Sequence, residues 1–222
     1  MDLTDAIKAR HSVRSYTNQK IEGETLVQLN QTVDECNRSS GLSIQLCINE
    51  PRAFSGIMAR YGKFKNVTNY VALVGRKDDA GFEEKCGYYG EKIVLAAQQL
   101  GLNTCWVGLS YSKAKSSAAV LPGQKLLLVT SIGYGETEGA DHTVKSIEKL
   151  YKCSGPMPPW FRSGVEAAQL APTAMNQQKF FFMLDGNKVK ASTGSGFYAK
   201  VDLGIAKYHF KIGAGSADWD WA

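Results

Sequence analysis

"ARHSVRSY", residues 9–16, sets two arginines, Arg10 and Arg14, four positions apart with Ser12 between them. If it continues the helix that Leu3 and Ile7 imply in "LTDAIKAR", both guanidinium groups extend an apolar stripe. A charge on a core-facing stripe is costly unless an anion or hydrogen-bond partner compensates it. Two arginines flanking a hydroxyl form a two-pronged donor set suited to a phosphate. Internal carboxylate partners, or a frayed helix end reaching solvent, explain the same spacing, and spacing alone favours those.

The rest of the chain narrows what such a cluster could serve. With 222 residues, 44% hydrophobic and 21% charged, it has ordinary globular composition and length for a real core. Its 26 basic and 21 acidic residues leave +5, spread without the basic block and interleaved aromatics of a nucleic-acid binder. That mild excess suits a phosphorylated small molecule. Five scattered cysteines without a C-x-x-C pair argue against disulfides and zinc and favour a reducing compartment, so a cytoplasmic location is expected. The three histidines, His11, His142 and His209, are scattered too, and no metal site is expected. There is no signal-peptide h-region and no run approaching the ~20 apolar residues of a membrane span.

Helical periodicity is expected in "LTDAIKAR", "GETLVQLNQTVDEC", and "YYGEKIVLAAQQLGL", where Ile93, Ala96, Ala97 and Leu100 share a stripe and Gly101 caps it. "LSIQLCI" (42–48), "NYVALVG" (69–75) and "KLLLVTSIGYG" (125–135) read as strands. "CSGPMPPW" (153–160) marks a linker or rigid crossover. After it come the helix "SGVEAAQLA", the strand "KFFFML" and a helix around "LGIAKYHF". The pattern predicts an α+β layer architecture: a single domain over 1–222, with 1–150 as main part and 160–222 completing it.

Two further segments carry polar chemistry. In "LAPTAMNQQKFFF" (170–182), Pro172 ends a helix, Thr173 can cap a new turn, and Asn176, Gln177 and Gln178 offer mixed donors and acceptors. In "LGLNTCWVGLS" (100–110), Gly108 admits close backbone approach and Trp106 is a core anchor or a stacking surface. The Gly-x-Gly of "TGSGFYAK" (193–200) lacks the third glycine and the strand-to-helix turn of a dinucleotide site.

Together, the Arg-x-Ser-x-Arg stretch, "APTAMNQQKFFF", "GEKIVLAAQQLGLNTCWVG" and the strand end "SIGYG" resemble the FMN-dependent nitroreductase family. The asparagine motif follows residue 170 rather than the arginines, which is similar to the branch called TM nitroreductases. The resemblance implies a three-layer α+β fold, a mostly antiparallel central sheet flanked by helices. It implies FMN as cofactor: Arg10 and Ser12 on the phosphate, with His11 between the motif's members, and Arg14 on the phosphate or the flavin ring. Lys145 matches the family's late phosphate-holding base. Pro172, Thr173, Ala174, Asn176 and Gln178 match the segment lining ribityl and pyrimidine, with Lys179 replacing a usual proline. Trp106, Val107 and Gly108 match the turn whose backbone faces the ring. The implied activity is hydride transfer from NADH or NADPH through flavin to a nitroaromatic, quinone or similar acceptor. Dehalogenation, ene reduction, or flavin binding without turnover are the alternatives. No side-chain acid or base is demanded, so no catalytic residue is assigned. Members commonly form homodimers, and a late motif equally allows a site completed within one chain.

Overall fold

Continuous β-branched and apolar runs give the central strands, because a strand covered on both faces needs no polar alternation. The computed structural model describes all 222 residues. A first sheet is built from β1 (Gln45–Cys47), β2 (Tyr70–Arg76), β3 (Asn103–Val107) and β4 (Gln124–Gly133), ordered β1-β2-β4-β3 and antiparallel throughout. β2 is buried except at Arg76, and β4 is buried from Leu127 onward. This is the antiparallel central sheet that the family resemblance implies.

A second sheet holds β5 (Tyr151–Cys153), β6 (Phe180–Asp185), β7 (Lys188–Thr193) and β8 (Asp220–Trp221) in that order. Only its β6–β7 pair is antiparallel; β5 and β8 join in parallel. Because β5 precedes the proline run, "CSGPMPPW" is a connection inside the second half rather than a bridge into it.

The helices are α1 (Leu3–Ala9), α2 (Gly23–Ser40), the short α3 (Ile57–Tyr61), α4 (Phe82–Gln99), α5 (Pro159–Gln169) and α6 (Ala199–Ala214). None is long and apolar enough to cross a membrane. All five cysteines are free thiols. Contacts run from the first sheet through α4 to α6 and on to the second sheet. One apolar core follows that path from Val33 to Ala214, with Phe161, Phe180, Phe182 and Phe210 clustered at the far side.

The α4–α6 contact is backbone against backbone. A Cβ on Gly87 would lie 2.0 Å from the Val201 carbonyl oxygen, and one on Gly204 would lie 2.0 Å from that of Glu84. Neither obstacle is a movable side chain, so the two helices must separate to admit anything larger. Replacing Gly204 with Leu should therefore lower stability by about 3 kcal/mol or more. Urea denaturation checks this, and a midpoint matching the parent chain would show that the helices can separate without penalty.

Candidate functional site

The arginine stretch is not helical. α1 stops at Ala9, and Arg10 is its C-cap in extended conformation (φ −72°, ψ 118°). The Val13 N–H then donates to the Thr104 carbonyl (3.0 Å) and Ser12 bridges Thr104 in parallel, so the stretch lies along the edge strand β3. Arg10, Ser12 and Arg14 consequently share one side of extended chain at period two. All three line a cleft with His142, Pro172, Thr173 and Asn176. A second, central cleft adjoins it through Ser12, Arg14, Pro172 and Thr173. Its other walls include Trp106, Val107, Gly108, Leu128, Ala174, Tyr198, Val201, Asp202 and Ile205. Solvent-facing space included, the arginine cleft opens about 880 Å³ and the central one about 540 Å³.

Arg10 is 3% exposed and has an internal counter-charge: its Nε lies 3.9 Å from Oε1 of Glu91, a fully buried residue of α4. Glu91 is otherwise saturated. Its Oε2 accepts from Trp106 Nε1 (2.9 Å), and its Oε1 lies 2.8 Å from Nε2 of buried His209, whose Nδ1 is 3.1 Å from the Ala167 carbonyl. Arg10 Nε makes no hydrogen bond, and burial lowers the guanidinium pKa against the pull of Glu91. A second buried nitrogen on the same cleft, Nε2 of His142, also lacks a partner. Burial, then the charges of Arg10 and His11, lower the His142 pKa.

Trp106 and Val107 belong to β3 rather than to a turn, which begins only at Gly108. A Cβ at Gly108 would run into the ring of Tyr198, whose hydroxyl donates to the Gly108 carbonyl (3.2 Å), so a larger residue there must displace that ring. Tyr198, from the discounted "TGSGFYAK" stretch, thus closes one wall of the central cleft. Burial raises the thiol pKa of Cys105, which lines the same wall, so it is a poor nucleophile.

The 172–178 loop is conformationally costly. Met175, Asn176 and Gln178 are left-handed, with φ of 53°, 53° and 44°. Asp202 on α6 holds it from one side, accepting from the Ala174 N–H (2.9 Å) and from Gln177 Nε2 (2.6 Å). From the other side, Asn176 Nδ2 and Gln178 Nε2 both donate to the Thr143 carbonyl (2.8 Å each). Lys145 donates its N–H to Gln178 Oε1 (2.8 Å) and its Nζ to the Gln178 carbonyl (2.7 Å). Thr173 caps the turn Ala174–Asn176 in position, but its hydroxyl accepts from the Gln178 N–H (3.1 Å) rather than within the turn.

The fold therefore assembles Arg10, Ser12, Arg14, Trp106, Val107, Gly108, Pro172, Thr173, Ala174 and Asn176 around two joined clefts. It leaves Lys145 and Gln178 behind the loop, and His11 beside Asp141 (3.7 Å) off both clefts. Glu91, His142, Tyr198 and Asp202 were not foreseen. No group of three or more potential metal-ligating side chains converges anywhere.

A family model described as "Putative TM nitroreductase" matches residues 2–214. Among solved structures, a putative nitroreductase from Thermotoga maritima is 22% identical with a TM-score of 0.64, covering 95% of this chain and 82% of its own. A putative nitroreductase from Desulfovibrio desulfuricans, solved in complex with FMN, is 16% identical with a TM-score of 0.56, covering 71% and 99%. No curated relative matches the chain.

Asp202 gives the site a pH signature. Burial pushes its carboxyl up to about 6 from 3.8, against the opposing hydrogen bonds from Ala174 and Gln177. A folded pKa above the unfolded one means that the native state binds the extra proton. Stability from this group is thus present below about pH 4 and lost as pH rises through about 6, amounting to at most about 3 kcal/mol. Asp202→Asn should flatten the stability profile between those limits in thermal melts. An unchanged slope would show that the carboxyl titrates normally.

Proposed function

The chain belongs to the TM nitroreductase family, and from that premise we propose that it is an FMN-dependent oxidoreductase. The observation that carries this is the pair of buried, unpartnered nitrogens, Arg10 Nε and His142 Nε2, beside Ser12 and Arg14 on one cleft. The Arg10 N–H is a desolvated donor without an acceptor, which is costly, and a bound anion relieves it while favouring a proton on the neighbouring His142 ring. A phosphate fits that donor set. The adjoining cleft, apolar at Leu128, Val201 and Ile205 and edged by the hydroxyls of Ser12 and Thr173 and by Asp202, suits a flat heterocycle carrying mixed donors and acceptors. The similar fold of an FMN complex supports the same assignment.

When bound, FMN supplies the redox chemistry, passing a hydride equivalent from NADH or NADPH to a small acceptor. The chain's own residues do the rest. Arg10, Ser12, Arg14 and His142 hold the phosphate. Trp106, fixed through its indole N–H by Glu91, keeps a rigid wall beside the ring site. Thr173, Ala174 and Asn176 present the loop's polar edge, which Asp202 orients through the Ala174 N–H. Gly108, lacking a side chain, leaves room at the cleft wall for the Tyr198 ring. Because these segments come from one chain, a site complete within one subunit is the reading they support. Free thiols throughout fit a reducing, cytoplasmic setting.

FMN added to the purified protein should be retained, turn it yellow, and bleach under anaerobic NADH or NADPH. A colourless protein after dialysis overturns the proposal; a yellow one that resists both nicotinamides is a flavin binder without turnover. Arg14 is exposed and ion-paired to nothing, so Arg14→Ala should weaken FMN binding roughly tenfold with little stability loss, as an unpaired surface site predicts. Arg10→Ala is a poorer probe, because it also leaves Glu91 without a counter-ion.

A further inference from the structure

Past Trp106 the central cleft continues into a third recess, lined also by Tyr61, Lys63, Phe64 and Ser110. The two share Arg14, Trp106, Val107 and Gly108, so whatever occupies the ring site of the central cleft borders this recess. Its outer wall is the turn after α3. There the Phe64 N–H donates to the Ala59 carbonyl (2.9 Å) and the Lys63 N–H to that of Arg60 (2.9 Å). This is the pattern of a helix ending in a left-handed residue, a position that glycine normally takes. Here Lys63 holds it, at φ 60°. A side chain kept in a strained backbone position at the edge of a cleft points to a role for that side chain.

The charge around the recess is one-sided. From Pro51 to Asn66 the chain carries Arg52, Arg60, Lys63 and Lys65 and no carboxylate. Only Lys65 is ion-paired, with Glu136 (3.1 Å); Arg14, Arg52, Arg60 and Lys63 have no partner. The lining between the cations is aromatic: Phe64 stacks edge-on against Phe54 (5.2 Å), and the Arg14 guanidinium sits 6.0 Å from the Phe64 ring centroid. Tyr61 is 84% exposed at the mouth. Aromatic walls take a flat ring, and unpaired cations beside them take an anion on that ring.

We propose that this recess is the electron-acceptor subsite and that it selects planar aromatic acceptors bearing an anionic substituent, with Lys63 as the selecting charge. The proposal rests on the flavin reading above. The same chemistry would also attract a nicotinamide dinucleotide, whose diphosphate is anionic, so the test separates the two. FMN occupancy is first fixed from absorbance. The loaded, oxidised protein is then titrated calorimetrically with 4-nitrobenzoate, the uncharged 4-nitrobenzamide, and NAD⁺, with no reductant present.

The carboxylate should bind at least tenfold more tightly than the amide. Lys63→Glu should remove that preference while moving the amide less than threefold. Lys63→Gly, which removes the charge and relieves the left-handed backbone, should also remove it with an equal or higher melting temperature; a merely structural lysine would not couple those two changes. Equal affinities for acid and amide on yellow protein, or a preference surviving both substitutions, overturn the proposal and leave the flavin reading standing. A loss confined to NAD⁺ overturns the acceptor assignment. Protein that takes up no FMN overturns both.

Discussion

A single buried carboxylate ties the functional site to the core. Glu91 projects from α4 with no solvent exposure and contacts three other elements: the end of α1 through Arg10, β3 through Trp106 and α6 through His209. A buried carboxyl so placed is tolerable only if its partners stay, and removing one partner from a buried ion pair typically costs about 3–5 kcal/mol. Both halves of the chain are thereby committed to one geometry. The approach of α6 that lets His209 reach Glu91 depends in turn on Gly87 and Gly204, which let the two helices touch through backbone. Arg10 is held from inside by Glu91 while lining the arginine cleft, so the floor of the proposed anion site is also a piece of the core.

That arrangement explains which features could be read from the sequence. Residues four apart fall on one side of a helix and also, being two twos apart, on one side of a strand. The arginine spacing was therefore informative about shared direction and silent about backbone. What decides for extended chain is a partner just over 90 residues away, the free edge of β3, which local periodicity cannot see. Long apolar runs gave β2, β4 and β6 nearly to their ends. β5, β7 and β8 escaped because they are two to six residues long, polar in part, and specified by non-local pairing. Glu91 was findable in principle, since it interrupts the buried face that Val94, Leu95 and Gln98 continue. It was the mate of the misplaced arginine, and neither was explicable alone.

The 172–178 loop shows a different division of labour from the one its sequence suggests. Its amides look like a row of ligand contacts, yet Gln178 is 3% exposed and spends both ends of its amide on Thr143, Asn176 and Lys145. Left-handed Met175 and Gln178 would relax if unsupported. Gln178 and Lys145 on one side, and Asp202 on the other, supply the hydrogen bonds that keep them strained. The residues that face the clefts, Thr173, Ala174 and Asn176, owe their positions to residues that do not, apart from Asp202.

Charge along the three adjoining clefts follows a sequence of its own: Arg10 and Arg14 at one end, an apolar centre whose only carboxylate is Asp202, and Lys63 at the other end. Arg14 borders all three. One guanidinium can neutralise roughly one charge, so an anion in the arginine cleft leaves little of Arg14 for a second anion beyond Trp106. Over distances comparable to a Debye length of about 8 Å, the first anion would also repel the second through only partial screening. Under the two proposed assignments, binding anions at both ends needs a further cation on the far side, free of internal partners and close to the cleft. Lys63 meets each of those conditions, and its left-handed backbone is the structural cost of keeping it there.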